Sequence, residues 1–247
     1  MQALILAAGF GKRLQPITNT IPKSLVEVNG TPLLVNALDH LSGRTIDEVV
    51  IVVGHKKEKI MDRIGHMYQG MKITYVENPD YDRTNNIYSF YLARNYIHDD
   101  VIMLECDLFY QRELIDKIVD TTADCNILVS PFNPETMDGT VIEPGDDGKA
   151  RALSVNRMQG PDFCFNGKLK TINIYKFKKE FIVNKFFPML KTYMHLYDKN
   201  SYYELVLGIL IYLRNDDFQI VPIDESKWCE IDDRDDLKRA NIQFAEL

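Results

Sequence analysis

Short apolar runs alternate with amphipathic stretches along the first half of the chain. Residues 3–6, 49–53 (VVIVV), 72–76 (KITYV) and 101–106 (VIMLEC) have strand length and apolar character. Between them, 32–42, 56–68 and 86–96 read as helices. A β-α-β-α alternation predicts a mainly parallel sheet covered by helices on both faces. Right-handed connections then place ligands at the carboxyl ends of the strands. The segments 8–24, 78–86 (NPDYDRTNN) and 107–110 (DLFY) fall along that edge.

Beyond about residue 121 the texture changes. CNILVSPF, DGTVIEP, ARALSV and KTINIYKF are shorter strands broken by Gly, Pro and Asp. Apolar helices are expected near 179–197 and 201–213, then a strand at 218–223, an extended WCEI and a polar helix from about 233. The fold class expected is α/β and Rossmann-like, a mainly parallel mixed sheet flanked by helices with a smaller lobe. Residues 1–247 read as a single domain, with 1–120 as a ligand-binding half and 121–247 as a half that packs on it and closes the cleft.

Composition narrows this picture. With 247 residues, 45% of them apolar, the chain can bury a full core. A net charge of −7 argues against bulk nucleic-acid or membrane-surface binding, although local cations can still hold a small anion. Cys106, Cys125, Cys164 and Cys229 show no C-x-x-C spacing and read as reduced, packed thiols. No apolar run approaches ~20 residues, and the N-terminus enters a strand with no basic leader, so the cytoplasm is expected.

The segment Leu4–Lys23, LILAAGFGKRLQPITNTIPK, departs most from this acidic background. It is too irregular for a helix, and it sets Lys12, Arg13 and Lys23 in a loop after the first strand. Such a loop suits a polyanion. A P-loop needs G-x-x-x-x-G-K-[ST], which GFGKRL fails in spacing and in its last residue. A dinucleotide fingerprint needs a third glycine where Leu14 stands.

A third pattern, L-x-A-G-x-G-x-R-L-x-P-x-T-x-x-x-P-K followed by G-x-P-L, is matched at Leu6, Ala8, Gly9, Gly11, Arg13, Leu14, Pro16, Thr18, Pro22, Lys23, Gly30, Pro32 and Leu33. The chain thereby resembles the nucleotidyltransferases that join a nucleoside triphosphate to a phosphorylated small molecule. The physics of the loop agrees. Gly9 and Gly11 let the backbone approach phosphate oxygens, Arg13 offers a planar fork of donors to pyrophosphate, and Lys23 a point charge to the α-phosphate. The resemblance implies a nucleotide site built from Leu6, Ala7, Ala8, Gly9, Gly11, Lys12, Arg13, Lys23, Glu105 and Asp107, with Arg13 and Lys23 catalytic.

A triphosphate calls for Mg²⁺, which takes one or two carboxylates plus phosphate oxygens. Asp107 follows the fourth strand, where the resembling family carries a metal ligand; Glu230 and Asp232, two apart in WCEIDD, are its expected companions. Asp233, Asp235 and Asp236 read as the cap of the last helix.

Sugar-phosphate members usually carry a G-T-A type segment after the third strand. Here NNIYSFYL stands instead and resembles bacterial phosphocholine and aminoethylphosphonate cytidylyltransferases. Asn85, Asn86 and Ser89 then supply groups suited to the edge of cytosine, and Asn85 or Asn86 is equally a helix cap. A cationic acceptor head calls for acids or aromatic faces. Asp138, Asn173, Tyr202, Tyr203 and Glu204 are candidates, with Lys168 or Lys170 for phosphonate oxygens. The resemblance thus implies Mg²⁺-dependent CMP transfer from CTP to 2-aminoethylphosphonate, phosphocholine or a similar small acceptor, with no nucleic-acid or membrane partner and a homodimer left open. Two other readings stand beside it: a sugar-1-phosphate nucleotidylyltransferase using UTP or dTTP, and a catalytically silent nucleotide-binding module.

Overall fold

A computed structural model describes residues 1–245. In chain order the first half gives β1 (Gln2–Ala7), β2 (Glu27–Val28), β3 (Thr31–Pro32), α1 (Leu33–Leu41), β4 (Glu48–Val53), α2 (Lys57–Ile64), β5 (Met67–Tyr68), β6 (Met71–Glu77), α3 (Asn86–Leu92), β7 (Val101–Glu105), β8 (Leu108–Tyr110) and α4 (Glu113–Val119). The second gives β9 (Cys125–Pro131), β10 (Val141–Pro144), β11 (Ala150–Ser154), β12 (Leu169–Phe177), α5 (Lys179–Phe181), α6 (Phe187–Leu196), α7 (Glu204–Leu213), β13 (Phe218–Pro222), β14 (Trp228–Glu230) and α8 (Arg234–Gln243). A π-helical turn at Ile182–Phe186 joins α5 to α6.

Four strands, in the order β7-β1-β4-β6, pair in parallel, as their continuous Val/Ile/Leu content requires of strands covered on both faces. The sheet then continues antiparallel: β12 pairs with β7 over Ile174–Phe177, with β10 over Leu169–Lys170, and with β9 towards both of its ends. One sheet therefore runs through both halves of the chain, with no break near residue 120.

Two apolar clusters, one on each face, hold the sheet. One packs β-strand residues against Phe90, Phe177, Phe186 and Tyr203, the other against α1 and α4. A third, smaller cluster joins Leu14, Val26, Val28 and Leu33 of the opening segment to Ile231, Ala240 and Phe244 near the C-terminus.

Three expectations need correction. The helix expected over 56–68 stops at Ile64, because Gly65 takes a left-handed φ of 75° and Gln69–Gly70, both with positive φ, close the β5–β6 hairpin. The helix expected from 201 starts at Glu204. Of the four thiols, Cys125 is buried, but Cys164 is exposed rather than packed. Among the described residues no helix is long and apolar enough to cross a membrane.

Candidate active site

The parallel strands end along one edge, and there a cleft of about 550 Å³ opens. Its floor begins where β1 runs out into Ala8-Gly9-Phe10-Gly11. Gly11 has φ 64°, and a Cβ there would meet Lys23 Cβ at 2.9 Å, so a side chain would strain the backbone and displace the lysine. Gly54 serves differently: an added Cβ would strike Tyr81 at 2.7 Å and the Ala8 carbonyl at 2.8 Å. Its bareness lets the loop after β6 lie against the loop after β1. Short 3₁₀ turns at Lys12–Leu14, Ile17–Asn19 and Lys23–Leu25 carry the chain round the cleft and return Lys23 to it.

Lys23 is the centre of the charge arrangement. Its Nζ donates to Asp107 Oδ2 at 3.0 Å and to Asp232 Oδ1 at 2.7 Å. Asp232 Oδ2 also accepts from Arg13 at 2.8 Å. Carboxylates 125 residues apart in sequence thus share one ammonium. Burial opposes charge on Lys23, but Asp107 and Asp232 outweigh it and hold the ammonium well above its ordinary pKa. Burial likewise opposes charge on Asp232, and Lys23 with Arg13 outweighs it, so this carboxyl titrates below the usual range.

Behind this pair, Glu230 accepts from Lys170 at 3.1 Å. Burial, reinforced by Asp107 and Asp232 against the attraction of Lys170, pushes Glu230 up to about 7. Asp233 and Asp236 form a reciprocal capping box at the start of α8, which fixes the backbone on which Asp232 stands.

The donor set suits a hard cation. Asp107 Oδ1 is buried and has no hydrogen-bond partner, an unsatisfied oxygen beside a second carboxylate. Among the described residues no three His, Cys, Asp or Glu side chains form a metal cage by themselves. That fits an ion held by one or two carboxylates and completed by phosphate oxygens and water.

Most residues singled out from sequence meet here. Leu6, Ala8, Gly9, Gly11, Lys12, Arg13 and Lys23 line the cleft from the opening segment. Asn85, Asn86, Ser89, Glu105 and Asp107 line it from the sheet edge; Asp138, Asn173, Glu204, Glu230 and Asp232 come from the second half. Four placements differ from expectation. Ala7 turns into the core that packs on α1. Lys168 lies just before β12 and away from the cleft, paired with Glu143 at 2.9 Å; Lys170 lines the cleft instead. Tyr203 is wholly buried, edge-on to Phe90 and Tyr175, and its neighbour Tyr202 faces the cleft. Asn86 is committed to the protein rather than free for a base. Its Nδ2 donates to Glu105 Oε1 at 3.1 Å and Glu204 Oε2 at 3.2 Å, and its Oδ1 accepts from the Tyr203 N–H. Asn85 is the α3 cap, its side chain accepting from the Asn86 N–H.

Sequence reasoning missed two groups. Asn78, buried at the end of β6, donates to Ser89 Oγ at 3.0 Å and so orients that hydroxyl. Phe10, His55 and Tyr81 form an aromatic cluster, with Phe10–His55 centroids 4.5 Å apart and Phe10–Tyr81 5.2 Å apart. Their shared position in loops after three adjacent parallel strands was the available signal.

The Rossmann-like sheet thus joins a glycine loop, two cations and two acids along one edge. The chain belongs to the MobA-like NTP transferase domain family, whose model matches residues 3–157. It is 33% identical over 246 residues to the CMP-5'-(3-aminopropyl)phosphonate synthase of Streptomyces rubellomurinus, covering 99% of this chain and 39% of that protein. This chain therefore spans about two fifths of that relative's length. It is 26% identical to the CTP:phosphoglutamine cytidylyltransferase of Campylobacter jejuni, over 96% of this chain and 98% of that protein. In fold it is similar to the CTP:phosphocholine cytidylyltransferase of Streptococcus pneumoniae, with TM-score 0.77, 22% identity, and coverage of 98% and 97%.

Proposed function

We propose that this protein transfers CMP from CTP to a small phosphonate or phosphate monoester and releases pyrophosphate. The observation that carries the reading is the convergence of Lys23, Asp107 and Asp232 beside the Gly9–Gly11 loop. The cytidylyl donor is supported by the relatives named above, whose names carry CTP or a CMP-linked product.

The acceptor's oxyanion attacks the α-phosphorus; the new O–P bond forms as the bond to the β-phosphate breaks. Such an oxygen is ionised near pH 7, so no general base is required. Arg13, at the mouth of the cleft, meets the departing pyrophosphate with a planar pair of donors. Lys23 neutralises charge that develops on the transferring group, an interaction strengthened in the transition state. Asp107 and Asp232 would hold Mg²⁺, with Glu230 behind them. When bound, that ion supplies charge neutralisation and orientation of the triphosphate. Positioning accounts for most of the remaining acceleration.

A pyrophosphate-release screen tests this directly. CTP, UTP, dTTP and GTP are each offered with 2-aminoethylphosphonate, phosphocholine and glucose-1-phosphate. Turnover with CTP and a phosphonate or phosphate monoester other than a sugar phosphate is expected. Preference for UTP or dTTP with the sugar phosphate overturns the assignment.

A further inference from the structure

Asn78 stands directly after β6, 1% exposed, and lines the cleft together with Thr84 and Ser89. Its Oδ1 accepts from the Asp80 N–H at 2.9 Å. A backbone N–H only donates, so the oxygen of this amide faces Asp80 and its nitrogen faces the other way. That nitrogen donates to Thr84 Oγ1 at 3.1 Å and to Ser89 Oγ at 3.0 Å. Thr84 in turn gives its own proton to the Asp80 carbonyl at 2.7 Å, and a carbonyl only accepts. The main chain of Asp80 therefore pins both ends of the network. Reversing the Asn78 amide would set one N–H against another there.

A serine hydroxyl ordinarily turns to give or accept as its partner requires. Asn78 removes that freedom from Ser89, whose Oγ is already an acceptor on the protein side. Among the described residues no protein acceptor takes the Ser89 proton. In a residue 5% exposed that lines the cleft, this hydrogen is left for whatever enters. Asn85 has the same polarity: its oxygen is consumed by the Asn86 N–H at 2.8 Å, which leaves the Nδ2 hydrogens. Asn86 itself is fully engaged with Glu105, Glu204 and Tyr203. Of these three side chains of α3 and its cap, two thus meet the cleft as donors.

We infer that Asn78 selects the pyrimidine of the nucleotide, through the direction it imposes on the Ser89 hydroxyl. The ring nitrogen at position 3 is an acceptor in cytosine and carries a hydrogen in uracil and thymine. The Ser89 proton pairs with the first and opposes the second, leaving two donors face to face in a buried site. Such a mismatch is worth about 10- to 100-fold in affinity. The Asn85 amide meets the neighbouring 2-oxo group, which all three bases carry, and adds no discrimination. Asn78 is thus a positioning residue that acts through Ser89. This inference rests on the proposed use of CTP and names the side chain that sets it.

Calorimetry with CTP and with UTP, in the presence of Mg²⁺, measures the selection without any acceptor. The unaltered protein is expected to bind CTP about 30-fold more tightly. Asn78→Asp then reverses the network. Its carboxylate keeps the Asp80 N–H but can only accept, so it draws the Ser89 proton inward and a lone pair faces the base. The donors around that carboxylate hold it ionised at pH 8, where the measurement is made. The ratio of CTP to UTP affinity should fall at least about tenfold, towards UTP. A merely structural role for Asn78 would weaken both nucleotides together and leave the ratio unchanged. Ser89→Ala, which buries no charge, serves should Asn78→Asp melt below the assay temperature; it should lose affinity for CTP without losing affinity for UTP. Equal binding of CTP and UTP by the unaltered protein, or a variant that keeps its ratio, overturns the inference. Pyrophosphate release with 2-aminoethylphosphonate is read alongside. Selective CTP binding without release defeats the proposed transfer and sustains the inference, whereas release from CTP and UTP alike, with equal binding, overturns the inference alone. Binding of neither nucleotide overturns both.

Discussion

At the scale of single residues, Lys23 and Gly11 carry the sharpest expectations. Lys23 bridges Asp107 and Asp232, so truncation removes a transition-state cation, strips Asp107 of its ion pair and leaves Asp232 with Arg13 alone. Lys23→Ala should lower kcat by roughly 10²–10³-fold, the effect of losing one such donor, with a much smaller change in KM for CTP. Steady-state kinetics at saturating nucleotide checks this, and an unchanged kcat would remove Lys23 from the chemistry. Gly11→Ala makes a different case. The left-handed backbone costs about 1–2 kcal/mol for an L-residue, a modest loss in a thermal melt. The new Cβ, however, presses on the Lys23 side chain. Turnover should therefore fall far more than stability; a variant as active as the parent would show that the lysine has room to give way.

At the scale of elements, the opening segment is held in place by the far end of the chain. Asn29 N–H donates to Asn241 Oδ1 at 2.8 Å, and Asn29 Nδ2 to the Phe244 carbonyl at 2.9 Å. Phe244 packs edge-on to Phe109, 5.0 Å between centroids. Phe244→Ala should destabilise by about 3–5 kcal/mol and, by loosening the 3₁₀ turns, raise KM for CTP. Denaturant melts and kinetics together check both halves of that statement.

The same elements explain what sequence could reveal. The glycine loop is legible because the chemistry of phosphate binding constrains neighbouring residues, so the pattern lies in one contiguous stretch. The α8 cap is legible for the same local reason, with Asp233 and Asp236 three apart. Asn86 and Tyr203 are not, since their roles depend on α7 meeting α3, and one residue of phase exchanges Tyr202 with Tyr203. Lys168 and Lys170 are both plausible in sequence; only the start of β12 at Leu169 separates a surface pair from a cleft residue. The 56–68 helix reads too long in sequence because a Gln-Gly turn carries less warning than Asn-Gly.

At the scale of the whole molecule, the cleft concentrates negative charge that the unliganded protein leaves incompletely balanced, and this gives a pH dependence with a definite sign. Burial pushes Glu204 up to about 7, against the pull of a backbone N–H, the Asn86 amide and the charge of Lys170. Between the ordinary carboxylate range and about pH 7, the folded state therefore holds a proton that the unfolded state has released. Stability from this group falls as pH rises through that window and is constant above it. Each unit of raised pKa corresponds to about 1.4 kcal/mol. His40 and His55, lowered chiefly by burial, slope the opposite way in overlapping conditions. The clean quantity is thus the difference in melting temperature between Glu204→Gln and the parent, without ligands. It should grow in favour of the variant from about pH 5 to about pH 7 and then level, because a neutral amide never acquires the unpaired charge. A flat difference would mean that Glu204 is already ionised in the folded protein across this range.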